Sequence, residues 1–281
     1  MIGITGATGQ LGRLIVKKLL AKVPASEIVA IVRDPAKAAD LGVVVRKAEY
    51  DNPETLDAAF AGIDTLLLIS SNEFGKRAAQ HANVVAAAKR AGVKLIGYTS
   101  ILHADTSEIG LAVDHRQTEA DIRASGLPFV FLRNGWYTEN YAGSIPGAVA
   151  GGALIGSAGE GKISAASRAD YADAAVVALT SEGQAGKVYE LAGDTAFTLA
   201  DLAAEISKQT GKVIPYNNLS EADYAAALAS FGLPEGLAAT IASWDVPISK
   251  GALHDESHTL SKLIGHPTSP ISEVVTQALK G

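Results

Sequence analysis

The chain contains no cysteine. That absence removes disulfide frameworks, thiolate zinc sites, dithiol redox motifs and cysteine nucleophiles together, and it suits a reducing cytoplasm. Positive charge is also short. Lys and Arg number 24 against 30 Asp and Glu, a net charge of −6, so no overall basic field would hold a phosphate backbone and nucleic acid is not an expected partner. Met1 runs directly into Ile2-Gly3-Ile4 without the charged region and cleavage site of a secretory signal, so none is expected. Long apolar runs are missing too. The longest uncharged stretch, Asn140 to Gly159, is broken by Pro146 and by Gly143, Gly147, Gly151, Gly152 and Gly156; it reads as loop and short elements lining a cavity, not as a membrane span. No G-x-S-x-G elbow offers a hydrolytic serine. With 48% hydrophobic and only 19% charged residues, the chain has the balance of a folded protein with a substantial core.

What is present is an alternation. Short β-branched and aliphatic runs, Ile2–Thr5, Ile28–Val32, Val43–Arg46, Leu66–Ile69, Leu95–Tyr98 and Phe129–Leu132, read as buried strands. Between them lie segments of helical spacing such as Gln10–Lys22 and Ala78–Ala91, the latter followed by a capping Gly92. Strand and helix in alternation predict an α/β fold, a Rossmann-like doubly wound parallel sheet covered on both faces. After Arg133 the pattern changes to glycine-rich chain, a helix near 169–180, strands near 188–191 and 213–216, and alanine-rich helices. The expected division is residues 1–133 as a dinucleotide-binding domain and 134–281 as a smaller, mostly helical cap, with a strand near 188–191 that can return to the main sheet.

The run Gly6-Ala7-Thr8-Gly9-Gln10-Leu11-Gly12 joins the first strand to the first helix. In that position glycines permit a tight turn and let a pyrophosphate approach the helix N-terminus, where unpaired N–H groups and the dipole favour negative charge. At the end of the second strand, where an NAD-selective site places an acid on the adenosine ribose, the chain has Arg33 followed by Asp34. Arginine suits a 2′-phosphate and points to NADP(H), while the carboxylate of Asp34 leaves an unphosphorylated ribose open.

The glycine loop, Ile31-Val32-Arg33-Asp34-Pro35, Leu67-Leu68-Ile69-Ser70-Ser71, Gly97-Tyr98-Thr99-Ser100 and Leu132-Arg133-Asn134-Gly135-Trp136-Tyr137 occur in this order. Together they resemble the NmrA-like branch of the atypical short-chain dehydrogenases/reductases. Within it the chain is most similar to the bacterial NADPH-dependent type-2 quinone oxidoreductases, with the triphenylmethane-dye reductases as close relatives. The resemblance implies that Gly6, Thr8, Gly9, Gln10, Leu11 and Gly12 wrap a pyrophosphate, that Arg33 meets the adenosine phosphate, and that Ser70, Ser71, Glu73, Phe74 and Gly75 line the cofactor cleft.

Other members of that superfamily carry a tyrosine and a lysine four residues apart on the helix after the fifth strand, the lysine lowering the phenol's pKa for proton exchange. This chain has His115 and Glu119 there, the spacing without the chemistry. A carbonyl that becomes an alkoxide on hydride attack needs an acid nearby, whereas a quinone becomes a delocalised phenolate that water can protonate. Quinone or dye reduction is therefore expected over ketoreductase or epimerase chemistry. If a side chain does give a proton, the candidates are His115, Tyr137 and Asn134. After the sixth strand, Asn134, Trp136, Tyr137 and Asn140 can sandwich a flat acceptor and hold its oxygens, or the rings can serve only to pack. His254 and His258, four residues apart, read as a polar helix face, and His81 and His103 as ordinary hydrogen bonders; no metal is expected. The expected partners are a quinone or dye-like small molecule and at most a second copy of the chain. The competing function is a dinucleotide-binding redox sensor without turnover.

Overall fold

A computed structural model describes residues 1–73 and 75–280 of the chain. The first half alternates β1 (Ile2–Thr5), α1 (Gln10–Leu19), β2 (Ile28–Val32), β3 (Val44–Lys47), α2 (Pro53–Phe60), β4 (Thr65–Leu68), α3 (Arg77–Arg90), β5 (Leu95–Ile101), α4 (Ala112–Ser125) and β6 (Phe129–Asn134). The second half adds α5 (Ile145–Gly151), β7 (Leu154–Gly156), α6 (Arg168–Thr180), β8 (Lys187–Leu191), α7 (Leu199–Thr210) and β9 (Tyr216–Asn218). Four helices complete it: α8 (Glu221–Ser230), α9 (Glu235–Ser249), α10 (Thr259–Ile264) and α11 (Ile271–Lys280).

Seven strands form one parallel sheet in the order β3-β2-β1-β4-β5-β6-β8. This is the doubly wound Rossmann-like order, reversing between β1 and β4. Central strands are covered on both faces, which is why β2 is apolar at every position and buried throughout. The expectation of a buried third strand fails at β3, where Val44 is 39% exposed. As the sheet edge it pairs with β2 alone, and its Arg46 and Lys47 fit that half-open position.

The structure divides into two compact units, with one boundary between Asn134 and Gly135 and further ones on either side of it. The first comprises Met1–Ala104, Val113–Asn134 and Arg168–Leu191; the second comprises Asp105–Ala112, Gly135–Ser167 and the chain from Ala192 onward. Residues 168–191 join the sheet unit because β8 hydrogen-bonds along β6, from Val130↔Lys187 to Asn134↔Leu191. In the same unit Lys18 of α1 pairs with Asp173 of α6 at 2.7 Å.

In the second unit, β7 and β9 make a small parallel sheet. Trp136 packs edge-on against Trp244 and Tyr141 against Phe197. The strand expected near 213–216 begins only at Tyr216, where pairing with Leu154 starts; Val213, which suggested it, is 90% exposed and leaves the helix end at left-handed Gly211.

Candidate active site

The site at the carboxyl edge of the sheet is built first by β1. Thr5, fully buried, donates through Oγ1 to Leu67 O and accepts from Ile69 N, tying the exits of β1 and β4 together at the point where the strand order reverses. Gly6 then turns the chain at φ +60°, a left-handed conformation that disfavours side chains. Gly9 N donates back to Gly6 O at 2.9 Å and Gly9 caps α1 with no side-chain partner. A Cβ on Gly12 would stand 2.3 Å from Gly6 O and 2.7 Å from Ala7 Cα, so only glycine lets helix and loop approach this closely. The first turn of α1 carries no acidic residue. Thr8, Gly9 and Gln10 are at least partly exposed, while Leu11 is buried and anchors the helix from beneath. Such a helix start fits a pyrophosphate.

The other expected cofactor residues that the structure describes follow β2 and β4, the two strands that flank β1. Arg33 leaves β2 with its side chain 71% exposed and its guanidinium 2.7 Å from Glu73 Oε1. Asp34 caps the following turn, its Oδ1 accepting from Ala36 N at 3.1 Å. Ser70 and Ser71 follow β4; Ser70 N donates to Thr99 Oγ1 at 2.9 Å. Gly75 is left-handed at φ +80°. Phe74 lies outside the described residues.

A helix face not singled out from the sequence holds this segment. Arg77, Gln80 and His81, spaced to share one side of α3, are all buried. Ser71 N donates to His81 Nε2 at 3.0 Å, Ser71 Oγ to Gln80 Oε1 at 2.7 Å, and Arg77 Nε to Ser71 O. His81 must therefore carry its proton on Nδ1, which faces Thr118 Oγ1 at 2.9 Å while that hydroxyl donates to Asp114 O. Burial, and then the nearby Arg77 cation, lowers the imidazole's pKa to about 3, so it is neutral. The available signal was a polar triplet at i, i+3, i+4 at the start of an otherwise alanine-rich helix.

The two residues standing where a tyrosine and lysine are sought face inward. His115, the first of the candidate proton donors, is 6% exposed, with Nδ1 2.7 Å from the hydroxyl of buried Tyr98. Burial, then Arg77 and His81, drops its pKa to about 3. Glu119 is saturated: Oε1 accepts from Ser100 Oγ at 2.6 Å and Arg133 Nε at 2.9 Å, and Oε2 accepts from Arg133 NH2 at 2.6 Å. Arg133 continues to Glu190 Oε1 at 2.8 Å, whose other oxygen accepts from His103 N at 2.7 Å. His115 lacks a dissociable cationic proton at neutral pH, and Glu119 is committed to an ion pair.

Asn134 ends β6, 3% exposed, with neither end of its side-chain amide hydrogen-bonded. The chain beyond it passes Trp136 and Tyr137, both half-buried, to exposed Asn140. Trp136 O and Thr138 N bond the backbone of Ala166. The reading of 254–258 as a helix face is corrected: the segment is irregular chain outside any helix, His258 is left-handed at φ 53°, and its Nδ1 meets Asp194 Oδ1 at 3.0 Å. With Lys162, these residues border an open cavity of about 400 Å³. No cluster able to hold a metal ion occurs among the described residues, and no helix among them is long and apolar enough to cross a membrane.

The fold and the glycine cradle define a dinucleotide-binding protein. The NAD(P)H-binding family matches residues 6–182, and the chain belongs to it. It is 58% identical over 279 residues, 98% of each chain, to quinone oxidoreductase 2 of Escherichia coli strain K12. Among solved structures it is similar to the E. coli NADPH-dependent quinone oxidoreductase complexed with NADPH, at 57% identity and TM-score 0.97, covering 99% of this chain and 100% of the other. It is similar also to the Citrobacter sp. triphenylmethane reductase complexed with NADP(H), at 41% identity and TM-score 0.95, again covering 99% and 100%.

Proposed function

We propose that this chain is an NADPH-dependent quinone oxidoreductase of the cytoplasm, passing hydride to a quinone or a similarly flat electrophile without a tyrosine and lysine pair. The observation that carries the reading is Asn134. A buried amide with both ends unpaired costs on the order of 1–3 kcal/mol per group unless something else satisfies it, and at the carboxyl end of β6 that partner is a ligand's carbonyl or carboxamide. The similarity to a quinone oxidoreductase over 98% of each chain supports the class of acceptor.

NADPH, when bound, supplies the hydride. The chain's part is positional. The N–H groups at the start of α1 receive the pyrophosphate, Arg33 the adenosine 2′-phosphate, and Ser70, Ser71, Glu73 and Gly75, a stretch braced by α3 at Ser71 and Glu73, line the cleft. For the acceptor, Asn134 of the sheet unit offers its unpaired amide, and Trp136, Tyr137 and Asn140, which follow it in the chain, offer rings able to stack and a further amide able to hydrogen-bond. Hydride addition to one carbonyl side of a quinone leaves a hydroquinone monoanion with its charge delocalised, and a proton from water completes it. With His115 neutral and Glu119 paired to Arg133, neither is called upon as the acid.

NADPH oxidation followed at 340 nm with a panel of quinones and triphenylmethane dyes tests the proposal. Turnover with at least one quinone is expected; tight NADPH binding with no turnover of any acceptor would replace the enzyme by a sensor.

A further inference from the structure

We infer that Glu73 is a specificity-determining residue that narrows the chain's preference for NADPH over NADH, by holding a carboxylate against the arginine that meets the 2′-phosphate. The inference rests on the dinucleotide site proposed above and concerns its adenosine end. Glu73 Oε1 lies 2.7 Å from Arg33 NH1, and the two differ in freedom. Glu73 is anchored from behind: Oε2 accepts from Gln80 Nε2 at 3.2 Å, its N–H donates to Ser71 Oγ, and its carbonyl accepts from Lys76 N and Arg77 N at the entry to α3. Gln80 is 2% exposed. Arg33 is a long, exposed side chain.

A 2′-phosphate arriving at Arg33 therefore meets a fixed like charge and a guanidinium already engaged. A 2′-hydroxyl arriving at the same place meets a carboxylate able to accept its hydrogen bond, the chemistry an acid supplies in NAD sites. Asp34, the acid adjacent in sequence, is occupied as a cap. The carboxylate beside Arg33 comes instead from 40 residues further on.

The test is calorimetric titration of the full chain with 2′,5′-ADP and with 5′-AMP, which differ only in the 2′-phosphate, for the unmodified protein, Glu73→Gln and Arg33→Ala. Glutamine can still accept from Gln80, so Glu73→Gln should melt as the unmodified chain does. It should bind 2′,5′-ADP about two- to fivefold tighter, the range of one exposed ion pair, and 5′-AMP no tighter. Raising salt from about 0.05 M to about 0.5 M should shrink that gain through screening. Unchanged or weaker 2′,5′-ADP binding in Glu73→Gln, with Arg33→Ala losing affinity as expected, overturns the inference and leaves the dinucleotide site standing. Unaltered 2′,5′-ADP binding in Arg33→Ala overturns the assignment of Arg33, and the inference with it.

Discussion

Tyr98 and His115 meet at 2.7 Å inside the sheet unit, and what the histidine does there follows from its surroundings more than from its residue type. Burial disfavours the imidazolium, and the Arg77 cation adds to that. His115→Ala should leave quinone turnover within about tenfold of the unmodified enzyme, because a positioned general acid contributes about 10²–10⁴-fold and His115 is not one. It should destabilise by about 1–3 kcal/mol, since the Tyr98 hydroxyl loses its partner in a buried place. A thousandfold drop in kcat with unchanged NADPH affinity would contradict the neutral assignment. Tyr137 belongs to the same scale. If its ring stacks on the acceptor, Tyr137→Ala should raise the quinone KM by an amount matching about 0.5–1.5 kcal/mol and leave NADPH affinity unchanged. A lowered melting temperature with an unaltered KM would make it a packing residue, as Trp136 is toward Trp244.

Among the elements, the turn from β1 into α1 tolerates little change. Gly12 sits where a methyl group would meet Gly6 O at 2.3 Å, a backbone atom that cannot swing aside as a flexible side chain can. Gly12→Ala is expected to cost about 1–3 kcal/mol of stability, as overpacking does, and to weaken NADPH binding by opening the cradle. Gly110→Ala, where an added Cβ meets nothing within 4 Å, serves as the neutral control in the same melting and titration measurements. Equal behaviour of the two variants would mean that the close approach is dispensable. α3 is the second critical element, since its buried face fixes Ser71 and Glu73 through three side chains.

At the scale of the whole molecule, the buried histidines set an acid limit. His81 and His115 both have folded pKa values lowered to about 3 from about 6.5 in an unfolded chain. Between those values the unfolded state binds more protons than the folded one, so stability falls as pH falls. Their contribution is complete above about pH 6.5 and is lost progressively toward about pH 3, the loss reaching about 2 kcal/mol per histidine at pH 5. Melting temperatures between pH 7 and pH 4.5 should decline accordingly, and His81→Asn should flatten the slope. A slope unchanged in His81→Asn would show that this histidine does not carry the effect.

Most of the sheet was legible because its signals are local. Apolar runs of strand length, a helix-capping Gly92 and the spacing Gly6, Gly9, Gly12 each depend on neighbours within a few residues, where backbone stereochemistry and periodicity operate. The absence of the tyrosine and lysine pair was equally plain, being a matter of residue type at a position. Burial of His115 and the Glu119–Arg133–Glu190 chain were not legible. They depend on which strands become neighbours, and Arg133 and Glu190 meet only because β8 returns beside β6. The Arg33–Glu73 pair likewise requires the exits of β2 and β4 to converge at one sheet edge. Charge in a sequence says that an ion pair can form; only the tertiary structure selects the partner, because Coulomb attraction acts through space and the strand order decides which distances are short.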